Sequence, residues 1–220
     1  MPYEVTRRFE KALCNYTGAK YAVAVNSCTA ALLLSVLWAK EHVQSAAWPI
    51  RVEIPRRTYV SVPCAILNAG CRVGWRDEDW RGIYRLHPFP VWDSACRFTS
   101  NMYPDNSIYT TNHSGPPPLY VGGMVCVSFA ARKILGAEQG GAILHDNAEA
   151  DKWFRKMRFD GRTEGLEVAD DDIGVIGHHC LMIPSVAATL LLRLHHLPKH
   201  NKDLSGASDY PDISKMPAFQ

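Results

Sequence analysis

The sequence predicts an α/β fold, a mostly parallel sheet flanked by helices in one compact body. Three observations lead there. Short apolar runs alternate with helical segments, the order that lays parallel strands beneath covering helices. The chain has 220 residues, enough for a core that needs no staples. Its residues are 47% hydrophobic and 21% charged, the balance of a globular protein.

Taken in order, residues 6 to 17 place Phe9, Ala12, Leu13 and Tyr16 on one helical face, with Thr6 as the cap and Gly18 as the stop. "YAVAV" is a short buried strand, and Asn26, Ser27 and Thr29 offer caps to the apolar helix "AALLLSVLWAKEH". The pattern repeats as the strand "RVEIP", a helix near "VSVPCAILNAG" with Pro63 early in it or kinking it, and the strand "CRVGW". After Asp77 come a polar segment, a strand at "FPVWD", a loop-like tract containing "SGPPPLYVGG", and the strands "VCVSF" and "GGAILH". Residues 149–158 and 184–196 are helical, the second opened by Pro184-Ser185. From Lys199 onward few core residues remain and no period is visible. Residues 1–198 are therefore expected to form the α/β domain, and 199–220 a loosely packed or disordered tail.

Charge and cysteine usage narrow the functional class. Lys+Arg 24 against Asp+Glu 22 leaves a net charge of +2, so charge alone announces neither a nucleic-acid nor a membrane surface. The clusters at Arg7/Arg8, Arg56/Arg57 and Lys152 to Arg158 read as solvated faces. Seven cysteines without a C-x-x-C pair argue against a disulfide framework. With no secretion signal and no membrane-length apolar run, a cytoplasmic protein is expected. Asn15-Tyr16-Thr17 and Asn112-His113-Ser114 match the glycosylation acceptor pattern, which has no consequence in the cytosol. His178-His179 and His195-His196 with His200 have no carboxylate or cysteine at a ligand spacing, so no metal is expected. Gly122-Gly123 and Gly140-Gly141 lack the Rossmann order and are read as turns.

Four features fall at strand ends or a helix start, where parallel-sheet enzymes hold ligands. "NSCTAAL" follows a strand and opens a helix, so Ser27 and Thr29 either hold a phosphate at the positive helix end or form an ordinary cap. Asp93 ends an apolar strand, as a turn cap or as a charge aimed at a ligand. Tyr59 follows "RVEIP" and either lies on an aromatic ring or is a core tyrosine. Lys133 stands alone between Ser128 and Gly140-Gly141. A phosphate cradle, a carboxylate, an aromatic plate and an amine are together what pyridoxal 5′-phosphate (PLP) requires.

At these residues the chain resembles the DegT/DnrJ sugar aminotransferases, fold-type I PLP enzymes. The resemblance runs through "FEKALCNYTGAKYAVAVNSCTAAL", "PRRTYVSVPCAILNAGCRVGWRD", "WDSAC", "CVSFAARKILGAEQGGAILHD" and "GHHCLMIPSVAATLLLRL". It implies that Lys133 is the Schiff-base lysine, that Asp93 pairs with the pyridine nitrogen, and that Tyr59 stacks on the ring. It further implies that Ser128 and the Ser27-Cys28-Thr29 turn hold the phosphate, with Ala95 and Cys96 beside the cofactor. Cys28 stands where the family has glycine, Cys96 where it has glutamine or histidine, and His179 where an asparagine reaches the phosphate across a dimer interface. The stretch from Asp77 to Asp93 is shorter than the family's, too short for its helical crossover, and the family's C-terminal domain is absent, so a trimmed large domain is expected.

The resemblance implies an aminotransferase, moving an amino group from an amino-acid donor to a keto-sugar or similar acceptor, and a homodimer whose sites borrow residues from each other. Two other readings stand beside it. A compact PLP enzyme performing decarboxylation or elimination on a large substrate, such as a modified nucleobase in a polymer, is the one case that brings in nucleic acid. A non-catalytic relative used for binding is the second.

Overall fold

The computed structural model describes residues 3–42, 49–103 and 123–219. The tract from Ser114 to Gly122 and the Asn112-His113-Ser114 pattern lie outside the described residues. The elements are α1 (Glu4–Thr17), β1 (Tyr21–Val25), α2 (Cys28–His42), β2 (Arg51–Pro55), α3 (Ser61–Asn68), β3 (Arg72–Arg76), β4 (Tyr84–Leu86), β5 (Val91–Asp93), β6 (Met124–Ser128), β7 (Gly141–His145), α4 (Ala148–Met157) and α5 (Pro184–His195). Helix α1 begins before the expected cap, and Thr6 is buried inside it. It stops at Gly18, whose φ of 83° lets its N–H reach back to the Cys14 carbonyl. Pro63 falls in the first turn of α3, and Pro184 opens α5.

A five-stranded sheet runs in the order β1-β7-β6-β5-β4. Only β5 and β6 pair in parallel; the other three pairings are antiparallel. The expected mostly parallel sheet is thus corrected to a mostly antiparallel one. Two connections explain this: the return from Leu86 to Val91 is too short for a parallel crossover, which needs about a dozen residues or more, and the longer loop from Phe129 to Gly140 is bonded back on itself and brings β7 in antiparallel to β6. The parallel pair β2–β3, crossed over by α3, forms a separate two-stranded sheet. It is tied to the end of β4 by backbone bonds between Glu53 and His87 of 2.7 and 3.0 Å.

The main sheet is covered on both faces, and its side chains alternate between two cores with the period of two that a strand imposes. Val23, Val25, Met124, Cys126 and Ile143 pack on one side, with α2, α3 and α4. Ala22, Ala24, Val125, Val127 and Leu144 pack on the other, with α1 and α5. This three-layer body sets the carboxyl ends of β1, β5 and β6 side by side, at one edge of which the loop from Phe129 to Gly140 rises.

A buried ion network joins α1, β1 and α4. Glu10 accepts from the Ala24 N–H (2.9 Å), Arg158 (2.5 Å) and Arg155 (2.8 Å). Arg158 also bonds Glu164 at 2.6 Å, and Glu164 accepts from Arg7. Burial alone would raise the Glu10 carboxyl, but Arg158, Arg155 and the Ala24 N–H outweigh it and hold it below its ordinary value.

Segment 199–219, expected to be loose, packs closely. Lys199 accepts from Ser100 and Thr99 at 2.8 Å each, Asp203 forms a two-point pair with Arg97 (2.9 and 2.7 Å), and Ala207 and Ile213 are buried. Its order comes from backbone bonding and turn chemistry with few apolar anchors, which is why composition alone reads as disorder.

Arg158→Met takes one of its two guanidinium partners from the buried Glu10 carboxylate and one from Glu164, leaving Arg155 and the Ala24 N–H on Glu10, so the cost is expected at or below the low end of the roughly 3–5 kcal/mol seen when a buried pair loses a member. Thermal unfolding of the variant beside the wild type at pH 7 checks this. Because the folded Glu10 value is depressed, its stabilisation is present above the unfolded value and lost as pH falls through the folded one. The gap between the two proteins therefore narrows in acid.

Candidate active site

Above the strand ends lies a cavity of about 620 Å³, within the range of small-molecule and cofactor sites. Lys133, Asp93, Ser27, Cys28 and Thr29 line it, as do Tyr59, Ala95, Cys96 and Ser128. The structure thus gathers into one space nine of the ten residues singled out from sequence. His179 is the exception: it is exposed, with Nδ1 2.9 Å from the Asp160 carboxylate.

Local structure explains each placement. The loop carrying Lys133 is anchored by the fully buried Phe129, packed edge-on against Phe9 and Phe98. Backbone bonds from Phe129 to Gly140 and from Ala137 to Phe129 close its base, and the Gly136 carbonyl accepts from Arg193. Gly140, at φ 133°, bridges to Ser27, and Gly141 lies so near that a Cβ there would stand 2.5 Å from the backbone of Ser27 and Cys28. The glycine pair is thus a close-approach site between strand and helix start rather than a plain turn. Ser27 caps α2, its hydroxyl accepting from the Ala30 N–H at 3.1 Å, so the ordinary-cap role is occupied. Cys28 and Thr29 still line the cavity at the positive end of α2. Tyr59 stands at the mouth, 60% exposed, and is no core tyrosine.

Asp93 is the one carboxylate among the described residues lining the cavity. It is buried and accepts from the Ala95 N–H (2.9 Å) and the Tyr84 hydroxyl (2.7 Å). Thr58 stands 2.5 Å from the Tyr84 oxygen, completing a chain from α3's leading loop through β4 to β5. Burial raises the Asp93 carboxyl above its ordinary value, while Tyr84, Ala95 and the Lys133 charge pull against it. Burial likewise pushes the phenol of Tyr84 and the thiol of Cys28 well up, with Asp93 adding to both. The Lys133 amine points at the Cys96 sulfur, 3.7 Å away.

Sequence reasoning missed Thr58, Tyr84, Trp80 and Tyr210, all of which line the cavity. For Tyr84 a signal existed: "IYRL" alternates, and a tyrosine on an inward strand face needs a partner for its hydroxyl. For Tyr210 there was none, since its segment carries no period.

The likeness to known proteins bears on this arrangement. Residues 1–79 match the DegT/DnrJ/EryC1/StrS aminotransferase family. No curated protein is matched by the chain. Among solved structures it is similar to a DegT DnrJ EryC1 StrS aminotransferase from Brucella abortus, at 18% identity and a TM-score of 0.64 over 88% of this chain and 59% of that one. The sugar aminotransferase CalS13 from Micromonospora echinospora gives 19% and 0.63, over 88% and 61%. NtdA from Bacillus subtilis, solved with bound cofactor PMP, gives 19% and 0.64, over 88% and 48%. The chain therefore has the fold of this aminotransferase group and spans less than two thirds of the length of these relatives.

Two substitutions test the framework of the site. Gly141→Ala places a methyl against the backbone of Ser27 and Cys28, and overpacking costs about 1–3 kcal/mol; chemical denaturation reads it. Tyr84→Phe removes a donor from a buried carboxylate, at about 1–3 kcal/mol. It also leaves the Asp93 carboxyl higher, measurable by following its carbon resonance against pH.

Proposed function

We propose that the chain is a PLP-dependent aminotransferase moving an amino group from an amino-acid donor to a keto-sugar or similar acceptor, with Lys133 holding the cofactor as a Schiff base. The observation that carries this reading is the convergence in one cavity of a lone amine, a buried hydrogen-bonded carboxylate and a helix start. The match over residues 1–79 and the fold shared with sugar aminotransferases support it.

The residues suit the group. PLP supplies an aldehyde that condenses with an amine and a ring that takes up electrons from the bonds at the substrate's α-carbon. Lys133, half-buried, is the amine that would hold the group and the base that would move a proton at that carbon. Asp93 would hold a proton on the ring nitrogen; its bonds from Tyr84 and Ala95 favour the charged form this needs, and each oxygen retains a further lone pair. Cys28, Thr29 and Ser128 bind the phosphate at the α2 start, and Ser27 shapes that turn. Tyr59, exposed at the cavity wall, would cover the ring, and Ala95 and Cys96 would lie beside it. Arg132, the second cation lining the cavity, takes the donor's carboxylate.

A homodimer fits the surface. Leu166, Val168, Ile173 and Ile176 are all exposed in the segment leading to His179, Ile176 at 95%, and a partner subunit seated there would cover them. In such a dimer His179 serves the partner's site.

Absorbance spectra of the protein mixed with PLP, beside Lys133→Ala, test the reading. The expected result is a Schiff-base band in the wild type that borohydride fixes to Lys133, that the variant lacks, and that glutamate converts to the pyridoxamine form. A folded wild type without the band sinks the proposal. A band that an amino acid bleaches with release of carbon dioxide instead replaces transamination with decarboxylation.

A further inference from the structure

Segment 199–219 is stitched to the loops that form the cavity. The Leu204 N–H donates to the Cys96 carbonyl, Gly82 to Ser205, and Ala207 to Trp80, each at 2.9 Å. The Ile213 N–H donates to Arg56 at 3.0 Å, and Arg57 to the Tyr210 carbonyl at 3.3 Å. Gly82, at φ 74°, has no room for a side chain, because a Cβ would strike the Asp203 carboxylate. The result is a strap across one side of the cavity, with the Tyr210 ring against Trp80 and Trp80 against Tyr84.

The strap brings two hydroxyls to the sulfur that faces Lys133. Ser205 donates to Cys96 Sγ at 2.9 Å, the Tyr210 hydroxyl lies 3.5 Å from the same sulfur and 3.3 Å from Ser205, and the Lys133 amine lies 3.7 Å from it. A thiol is a weak donor and a weak acceptor, so by itself Cys96 orients an amine poorly. Two hydroxyls that fix its direction change that.

We propose that Ser205 and Tyr210 are positioning residues, which act through Cys96 to set the placement of the Lys133 amine. This rests on Lys133 being the reactive amine of the proposed function. The other ionisable groups around the same cavity are Asp93 from β5, Tyr84 from β4, Cys28 from α2, Tyr59 ahead of α3, and Arg132 on the lysine's own loop. Only the strap's pair reaches the amine by way of the sulfur. Burial pushes the Tyr210 phenol up to about 12, so it stays a neutral donor across the working range.

The test uses the whole chain without cofactor. Lys133 is reductively methylated with formaldehyde and borohydride at one pH, and its rate of modification relative to the other lysines of the same molecule is mapped by mass spectrometry in wild type, Ser205→Ala, Tyr210→Phe, Cys96→Ala and the Cys96→Ala/Tyr210→Phe double variant. A sulfur whose direction is no longer fixed releases the amine, so the relative rate in both strap variants is expected to rise about threefold. Ser205→Thr restores the wild-type rate, and Tyr210→Phe adds nothing once Cys96 is gone. Unchanged relative rates in folded strap variants overturn the proposal and leave the strap a scaffold. Equal changes with and without Cys96 overturn it too, by placing the coupling elsewhere. PLP binding by the same proteins is read separately, so a protein that shows the change and binds no PLP loses the cofactor reading and keeps the coupling.

Discussion

The contact on which the site depends is the approach of Gly141 to the Ser27–Cys28 backbone, where a single Cβ has no space. It fixes three things at once. The first residue of β7 sits against the start of α2, the loop from Phe129 to Gly140 is closed at its base, and the Ser27–Gly140 bridge sets that loop beside the helix end. An amine in the same cavity as a positive helix terminus follows from that contact. Covering both faces of the sheet makes the contact rigid, because neither α2 nor β7 has a free side toward which to relax.

Burial of Asp93 is the second constraint. A carboxylate in an apolar wall tends to take up a proton, and three groups pull against that tendency here: a tyrosine hydroxyl, a backbone N–H and the lysine charge. The tyrosine comes from β4, an edge strand of three residues joined to β5 by a short return. So brief a strand adds little to the sheet's stability. Its consequence is chemical: it places one hydroxyl behind the carboxylate and leaves the cavity side of that carboxylate open.

Sequence made most of the elements legible and little of their pairing. Period and punctuation locate α1, α2, α3, α4 and α5 to within a few residues, since capping and burial are local signals. They do not locate β4, whose alternation in "IYRL" is too short to stand out from the polar segment around it, nor do they give strand direction. "VCVSF" and "GGAILH" read as strands in either orientation; the loop between them, bonded to itself through Phe129, decides that they run antiparallel. Nine of ten site residues converge because strand ends and helix starts carry their positions in the sequence. His179 does not, since no local feature tells a residue of its own site from one on an outer face.

The strap shows why composition misleads at a site. Disorder is expected of a segment that buries too little apolar surface to offset its loss of freedom. Between Lys199 and Phe219 only Ala207 and Ile213 among the hydrophobic side chains are fully buried, yet the segment is ordered, because its backbone groups are satisfied by loops that present matching donors and acceptors. Those loops, around Trp80–Gly82 and Cys96, are themselves cavity wall. Neither partner has this pairing alone: the strap has no core of its own, and the loops without it would expose unpaired backbone beside the site. Ordering the strap and shaping the cavity are therefore one event, and a substitution that frees the strap changes the surroundings of Lys133 even when it touches no residue of the sheet.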